Sequence, residues 1–189
     1  MSAKNAVKEY IEITKALLAE MNTDSVAEIT EELNRCFKSG GKVLLCGNGG
    51  SASDASHFAG ELVGRFRRER AAMAAIALTT DTAVITAVAN DYGYETIFSR
   101  QVKALGREGD IFVAITTSGE SRNVLKAAKT ARESGLRVIA FTSELCKNPL
   151  WADLHWKSNT AVTSFTQEQM LVAFHAICYG LEDILVKEE

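Results

Sequence analysis

The chain has one proline in 189 residues, which leaves no proline-rich linker or polyproline segment to consider. Its 47% hydrophobic content excludes a disordered polypeptide. Four cysteines are present, none in C-x-x-C spacing, so the sequence encodes neither a cysteine-rich zinc module nor a thioredoxin-type redox pair. Cys36, Cys46 and Cys178 stand in apolar contexts and read as reduced core thiols of a cytosolic protein. No segment reaches the length of a membrane span. The N-terminal stretch carries acidic residues and no uninterrupted apolar core of a signal peptide, so a cytoplasmic location is expected. The formal net charge of −3 gives no overall basic footprint for nucleic acid.

What is present is enough chain for one proper core, burying roughly 70% of the extended-chain surface. Val7, Tyr10, Ile11, Thr14, Leu17 and Leu18 form a helical stripe over 3–20, and a second helix over 25–37 stops at Gly40-Gly41. These two helices make too short a unit for a core of their own and should pack on a sheet or on another subunit. Strand and helix then alternate: strand 42–46, helix 51–65, strand 73–78, helices 82–89 and 95–105, strand 110–115, helix 120–134 and strand 136–141. A shorter strand at 153–157 and a final helix over 166–185 close the chain. The strand candidates are continuous apolar runs, the pattern of parallel strands covered on both faces. The class is α/β, a doubly wound parallel sheet flanked by helices. A single domain over 1–189 is expected, with an N-terminal helical extension over about 1–39.

Two strand ends carry matching chemistry. Lys42 to Ser53 runs from an apolar strand through Gly47-Asn48-Gly49-Gly50 into a helix opened by Ser51. Ile115-Thr116-Thr117-Ser118-Gly119-Glu120-Ser121 does the same with small hydroxyl residues. Backbone N–H groups and hydroxyls at a helix start satisfy phosphate oxygens without a lysine, and in an open parallel sheet both loops emerge where ligands bind. Ser, Thr and Gly are also ordinary cap and turn residues. Neither loop is a standard nucleotide motif: Ala52 stands where G-x-G-x-x-G needs its third glycine, and no G-K-S/T is present. Arg65, Arg67, Arg68 and Arg70 form a local basic cluster around one aromatic, Phe66. It suits a solvated face, a subunit contact or a phosphate role.

Three histidines are present. His57 and Glu61 share one face of the first strand-following helix at i,i+4. Gln167 and His175 lie two turns apart on the last helix, where His175 is surrounded by Leu171, Val172, Phe174, Ile177 and Cys178. A satisfied core histidine and a functional one are both compatible with that setting. His155, between Leu154 and Trp156 on a short strand, reads as structural.

Together these features resemble the SIS (sugar isomerase) superfamily, and more closely the phosphoheptose isomerases. The likeness is carried by Cys46 to Ser53, His57-Phe58-Ala59-Gly60-Glu61-Leu62, Leu78-Thr79-Thr80-Asp81 and Asn90-Asp91-Tyr92-Gly93. Phe98-Ser99-Arg100-Gln101, Thr116 to Ser121, and Gln167-Glu168 with His175 complete it. The resemblance implies a homotetramer with interfacial active sites. It also implies conversion of sedoheptulose 7-phosphate to D-glycero-D-manno-heptose 7-phosphate, a precursor of lipopolysaccharide or other surface glycans. Matched motif by motif, it places His57, Glu61, Gln167 and His175 on metal positions, with zinc the expected ion. Ser51, Thr116, Thr117, Ser118 and Ser121 fall on phosphate-binding positions. Asn48, Asp91 and Gln167 fall on substrate-contacting ones, with Arg65 beside the site.

The chemistry suits these residue types. Aldose–ketose isomerisation removes a proton beside a carbonyl and returns it to the neighbouring carbon through an enediol, which needs a base at carbon and a second group for the oxygens. Glu61 is the expected base and His175 the acid/base partner. A divalent ion on a mixed nitrogen and oxygen donor set would polarise the carbonyl. The sequence departs from the family at Met170, where many members have histidine, and at Ser164, where some have aspartate. It departs again at Ser143-Glu144-Leu145-Cys146-Lys147-Asn148-Pro149-Leu150, which replaces a glycine-rich loop. The alternatives are a non-catalytic SIS protein regulating replication initiation, and an isomerase or binder of another sugar phosphate. Glu61 and His175 favour the enzyme, because the regulator lacks their equivalents.

Overall fold

The computed structural model describes residues 2–147 and 149–186, so Asn148 lies outside the described residues. Helices α1 (Ala3–Ala19) and α2 (Thr23–Lys38) precede β1 (Val43–Cys46). Then come α3 (Gly50–Val63), β2 (Ala75–Ala77), α4 (Thr82–Tyr92), a 3₁₀ turn at Tyr94–Thr96, and α5 (Ile97–Leu105). The chain continues through β3 (Ile111–Ile115), α6 (Arg122–Glu133), β4 (Arg137–Thr142) and β5 (Leu154–Lys157) to α7 (Thr163–Val186). The five strands are all parallel in the order β2-β1-β3-β4-β5. None of the described helices is long and apolar enough to cross a membrane.

The apolar strands are buried on both faces because their side chains alternate between two cores. Val43, Leu45, Ile111, Val113, Ile139, Phe141 and Trp156 meet α2, α3 and α7 on one face. Leu44, Cys46, Phe112, Ala114 and Val138 meet α5 and α6 on the other, with α4 at its edge. Burial of a side chain such as Leu33 or Phe58, both 0% exposed, contributes about 2 kcal/mol. Of the two N-terminal helices, α2 packs into the core through Ile29 and Leu33, whereas α1 buries no residue and leaves Val7 and Ile11 exposed. The three apolar-context cysteines are buried free thiols, as expected.

Differences from the sequence expectation fall at element ends. Strand 73–78 shortens to β2 because it is an edge strand paired only to β1. The expected helix 95–105 opens with the 3₁₀ turn after Gly93, whose φ of 86° reverses the chain. α6 starts at Arg122 rather than 120 because residues 118–121 form the turn before it, and α7 starts three residues early, at Thr163.

The order places β1 and β3 side by side, with the chain leaving β1 toward β2 and leaving β3 toward β4. That is the topological switch point, where the carboxyl ends of neighbouring strands open a crevice. Both hydroxyl-rich loops lie there.

Candidate active site

The β1–α3 turn is tight because Gly47 has no side chain. A Cβ there would stand 2.5 Å from the carbonyl oxygen of Ser51. Gly49 turns the chain at φ 55°, and Ser51 is 4% exposed on the first turn of α3. Among the described residues α1, α2 and α4 are capped by the side chains of Ser2, Asn22 and Asp81, but α3 and α6 begin with no side-chain cap. Ala52 N–H turns back to the Gly49 carbonyl and Val124 N–H to Asn123 Oδ1, so it is the two amides before each of them that face a ligand at the positive end of the helix.

The second loop is arranged around Thr116, which is 3% exposed. Its Oγ1 lies 3.1 Å from Ser121 Oγ and 3.4 Å from Ser118 Oγ, and Ser118 Oγ accepts from the N–H of Glu120. Thr117 turns its carbonyl to Ser143, whose N–H and hydroxyl both donate to it. Cys146 sits over Gly119, where a Cβ would be 2.5 Å from Sγ, so the loop that departs from the family braces this turn.

The two loops are joined by a pair that sequence reasoning missed. Asn48 Nδ2 donates to Asn123 Oδ1 at 2.9 Å, and Asn123 Nδ2 returns a bond to Asn48 Oδ1 at 2.8 Å. Tyr94 hydroxyl adds a third bond to Asn48 Oδ1 at 3.0 Å. A second asparagine two residues after Ser121 is the only sequence signal of this bridge.

One face of α3 and one face of α7 build the ionisable centre. His57 Nε2 stands 3.3 Å from Glu61 Oε1 and 3.2 Å from His175 Nε2. Donor atoms of the three residues all lie within 4.8 Å of one another. His57 is exposed, while Glu61 and His175 are partly buried. The helices are aligned by Phe58 and Phe174, whose rings stack at 4.7 Å, and Phe66 packs on the His175 ring at 5.2 Å. Beneath the centre Cys178 is an inert thiol, pushed up to about 12 by burial and then by the charge of Glu61. Asp54, one turn before His57, has its carboxyl raised to about 6 by burial, with Glu168 adding to the rise and His57 opposing it. Its buried Oδ2 has no hydrogen-bond partner among the described residues.

Three of the four expected metal donors therefore meet in one chain. Gln167 does not join them: it packs on Gly50, about 12 Å along α7 from His175. Asp91, exposed at the end of α4, accepts from Asn90 Nδ2, and Arg65 is exposed after α3. Neither bonds to another expected site residue among the described residues. Met170 is 0% exposed in the core, a packing residue, and Ser164 lines a shallow pocket with Asp54, Gln167 and Glu168. His155 is structural: Thr142 Oγ1 lies 2.7 Å from its Nε2, and burial, then Lys157, holds its pKa below the ordinary value.

The SIS domain family matches residues 8–143. The phosphoheptose isomerase of Dechloromonas aromatica is 43% identical over 183 residues, spanning 93% of this chain and 92% of that protein. This chain belongs to the phosphoheptose isomerase family. The structure of phosphoheptose isomerase from Neisseria gonorrhoeae superposes with a TM-score of 0.89 at 36% identity, covering 96% of this chain and 100% of that one. A phosphoheptose isomerase from Francisella tularensis gives 0.90 at 35%, covering 97% and 100%. His175, on the last helix beyond the SIS match, completes the centre begun on α3.

Proposed function

We propose that this enzyme interconverts sedoheptulose 7-phosphate and D-glycero-D-manno-heptose 7-phosphate. The observation that carries the reading is the convergence of His57, Glu61 and His175 across α3 and α7, where α3 itself opens at one of the two hydroxyl-rich strand ends, in a chain whose relatives bear the name phosphoheptose isomerase. Ser51, Thr116, Thr117, Ser118 and Ser121 hold the phosphate with the opening amides of α3 and α6. Asn48, Asp91, Gln167 and Arg65 contact the sugar.

Glu61 takes the proton from C1 of the ketose while the C2 oxygen gains a proton, giving the enediol. The O1 hydroxyl then loses its proton, and Glu61 returns its own to C2, so the aldose forms with all protons accounted for. His175 carries the proton between the two oxygens on Nδ1, since its Nε2 faces His57.

The donor set fits zinc. Two imidazoles and a carboxylate are the donor types zinc takes; His57 Nε2 lies 3.3 Å from Glu61 Oε1 and 3.2 Å from His175 Nε2, and all three donors lie within 4.8 Å of one another. His57, Glu61 and His175 would hold the ion, a mixed nitrogen and oxygen donor set unlike the cysteine-rich set of a structural site. When bound, zinc supplies Lewis-acid polarisation of the carbonyl and stabilises the enediolate charge. The protein acts in the cytoplasm as a single-domain homotetramer; interfacial sites are supported by exposed Asp91 and Arg65, which no other site residue engages among the described residues.

A coupled assay with zinc and a panel of sugar phosphates tests the proposal. Turnover of sedoheptulose 7-phosphate is expected. Turnover of a different sugar alone would replace the substrate, and no turnover of any panel member would overturn the enzymatic reading.

A further inference from the structure

Glu182 on α7 is 0% exposed, and no step above uses it. A carboxylate removed from water needs donors for both oxygens. Here the donors are backbone. The N–H of Phe66 gives to Oε1 at 3.0 Å, that of Arg67 to both oxygens at 3.0 and 3.1 Å, and that of Arg68 to both at 3.2 Å. Arg70, whose side chain is 3% exposed, places Nε 3.8 Å from Oε1. Burial works to raise the Glu182 pKa, but the N–H groups and Arg70 outweigh it and hold the carboxyl below its ordinary range. Three successive amides on one carboxylate make the 66–68 turn an anion nest filled by the protein itself.

The same residues tie the end of α3 to α7. Arg70 donates to the carbonyls of Glu61 at 2.7 Å and Leu62 at 2.9 Å, which the helix leaves unpaired. Arg67 lies over the Tyr179 ring at 3.4 Å, and Arg68 pairs with Asp183 at 3.2 Å. Three arginines of the basic cluster thus serve this joint. Glu182 follows His175 by seven residues, two turns along the same face of α7. Phe66, whose amide it holds, carries the ring that packs on His175.

We propose that Glu182 is a positioning residue for the His57–Glu61–His175 centre: it grips the 66–68 turn, so that Phe66 stays on the His175 imidazole and the end of α3 stays in register with α7. The proposal rests on the isomerase reading for its kinetic consequence only. Its structural consequence can be read without turnover.

Because the chain has three histidines, ring-labelled histidine gives three resolvable imidazole signals by NMR of the whole protein. In Phe66→Leu the His175 signal loses the ring-current contribution of the phenyl group. In Glu182→Gln, which keeps the shape but brings an amide NH₂ against the turn's N–H donors, the His175 signal is expected to move toward its Phe66→Leu position while His155 stays in place. The kcat for the sugar phosphate is expected to fall about 10- to 100-fold with KM little changed, and Glu182→Asp, retaining the charge, recovers part of both. If Glu182→Gln does not fold, Glu182→Asp is read against wild type in the same way. A His175 signal at its wild-type position in the folded variant overturns the proposal, whether or not the protein turns over any sugar.

Discussion

His57 Nε2 and His175 Nε2 lie 3.2 Å apart across 118 residues of chain. The contact exists because α3 and α7 run side by side in parallel, with Gln167 on Gly50, Phe174 on Phe58 and His175 on His57. At that distance at most one of the two ring nitrogens presents an N–H to the other. Glu61, one turn beyond His57, adds the negative charge that favours a cation there.

Replacing Glu61 by Gln keeps the side-chain volume and removes the base. Turnover of the sugar phosphate is expected to fall about 10²- to 10⁴-fold, with circular dichroism and oligomer size unchanged. Near-normal kcat in this variant would take Glu61 out of the proton transfer.

Zinc is expected to stabilise the apoprotein in a thermal shift titration, by about 2.7 kcal/mol at a hundredfold excess over Kd. His57→Ala and His175→Ala each remove a donor and should abolish the shift, whereas Cys178→Ser should retain it. Equal stabilisation of wild type and both histidine variants would show that the ion binds elsewhere.

Asn123→Ala leaves the buried side of Asn48 and the N–H of Val124 without their partner. A loss of about 1–3 kcal/mol in stability is expected, measured by denaturant unfolding. Calorimetry should also show weaker binding of the sugar phosphate, because the bridge joins both loops of the cradle. Tyr94→Phe, which deletes one bond to the same amide, should cost less on both measures.

Asp54 gives a pH dependence with a definite sign. Its folded pKa of about 6 lies above the ordinary 3.8, so the folded state holds the proton more tightly. The associated stability is full below pH 4 and is lost as pH rises through 6. Asp54→Asn should therefore melt at a higher temperature than wild type at pH 7, by about 1–3 kcal/mol of stability, with the difference vanishing near pH 4. A difference of equal size at both pH values would trace the effect to packing instead of ionisation.

Much of this was legible without coordinates. Continuous apolar runs such as Ile111–Ile115 require cover on both faces, and the structure supplies it from two separate cores. Gly47 to Ser51 and Thr116 to Ser121 announce strand-to-helix turns because glycine and hydroxyl residues have few other uses at the ends of such runs. Asn123 and Glu182 were not legible. An asparagine in a first helical turn and a glutamate near the end of an apolar helix are common, and only their partners, 75 and about 115 residues away, give them a role.

The sequence by itself determined the period of each element, the placement of its turns and the residue types available for chemistry, since these follow from local sterics and side-chain reach. Tertiary structure decided which of those residues meet. It brought His175 to His57 and Glu61, left Gln167 at Gly50, and divided the arginine cluster between a buried carboxylate and solvent. The physical reason is that helix packing is set by side chains distant in sequence, here Phe58 on Phe174 and the 66–68 turn on Glu182. No local pattern specifies which apolar face will find which.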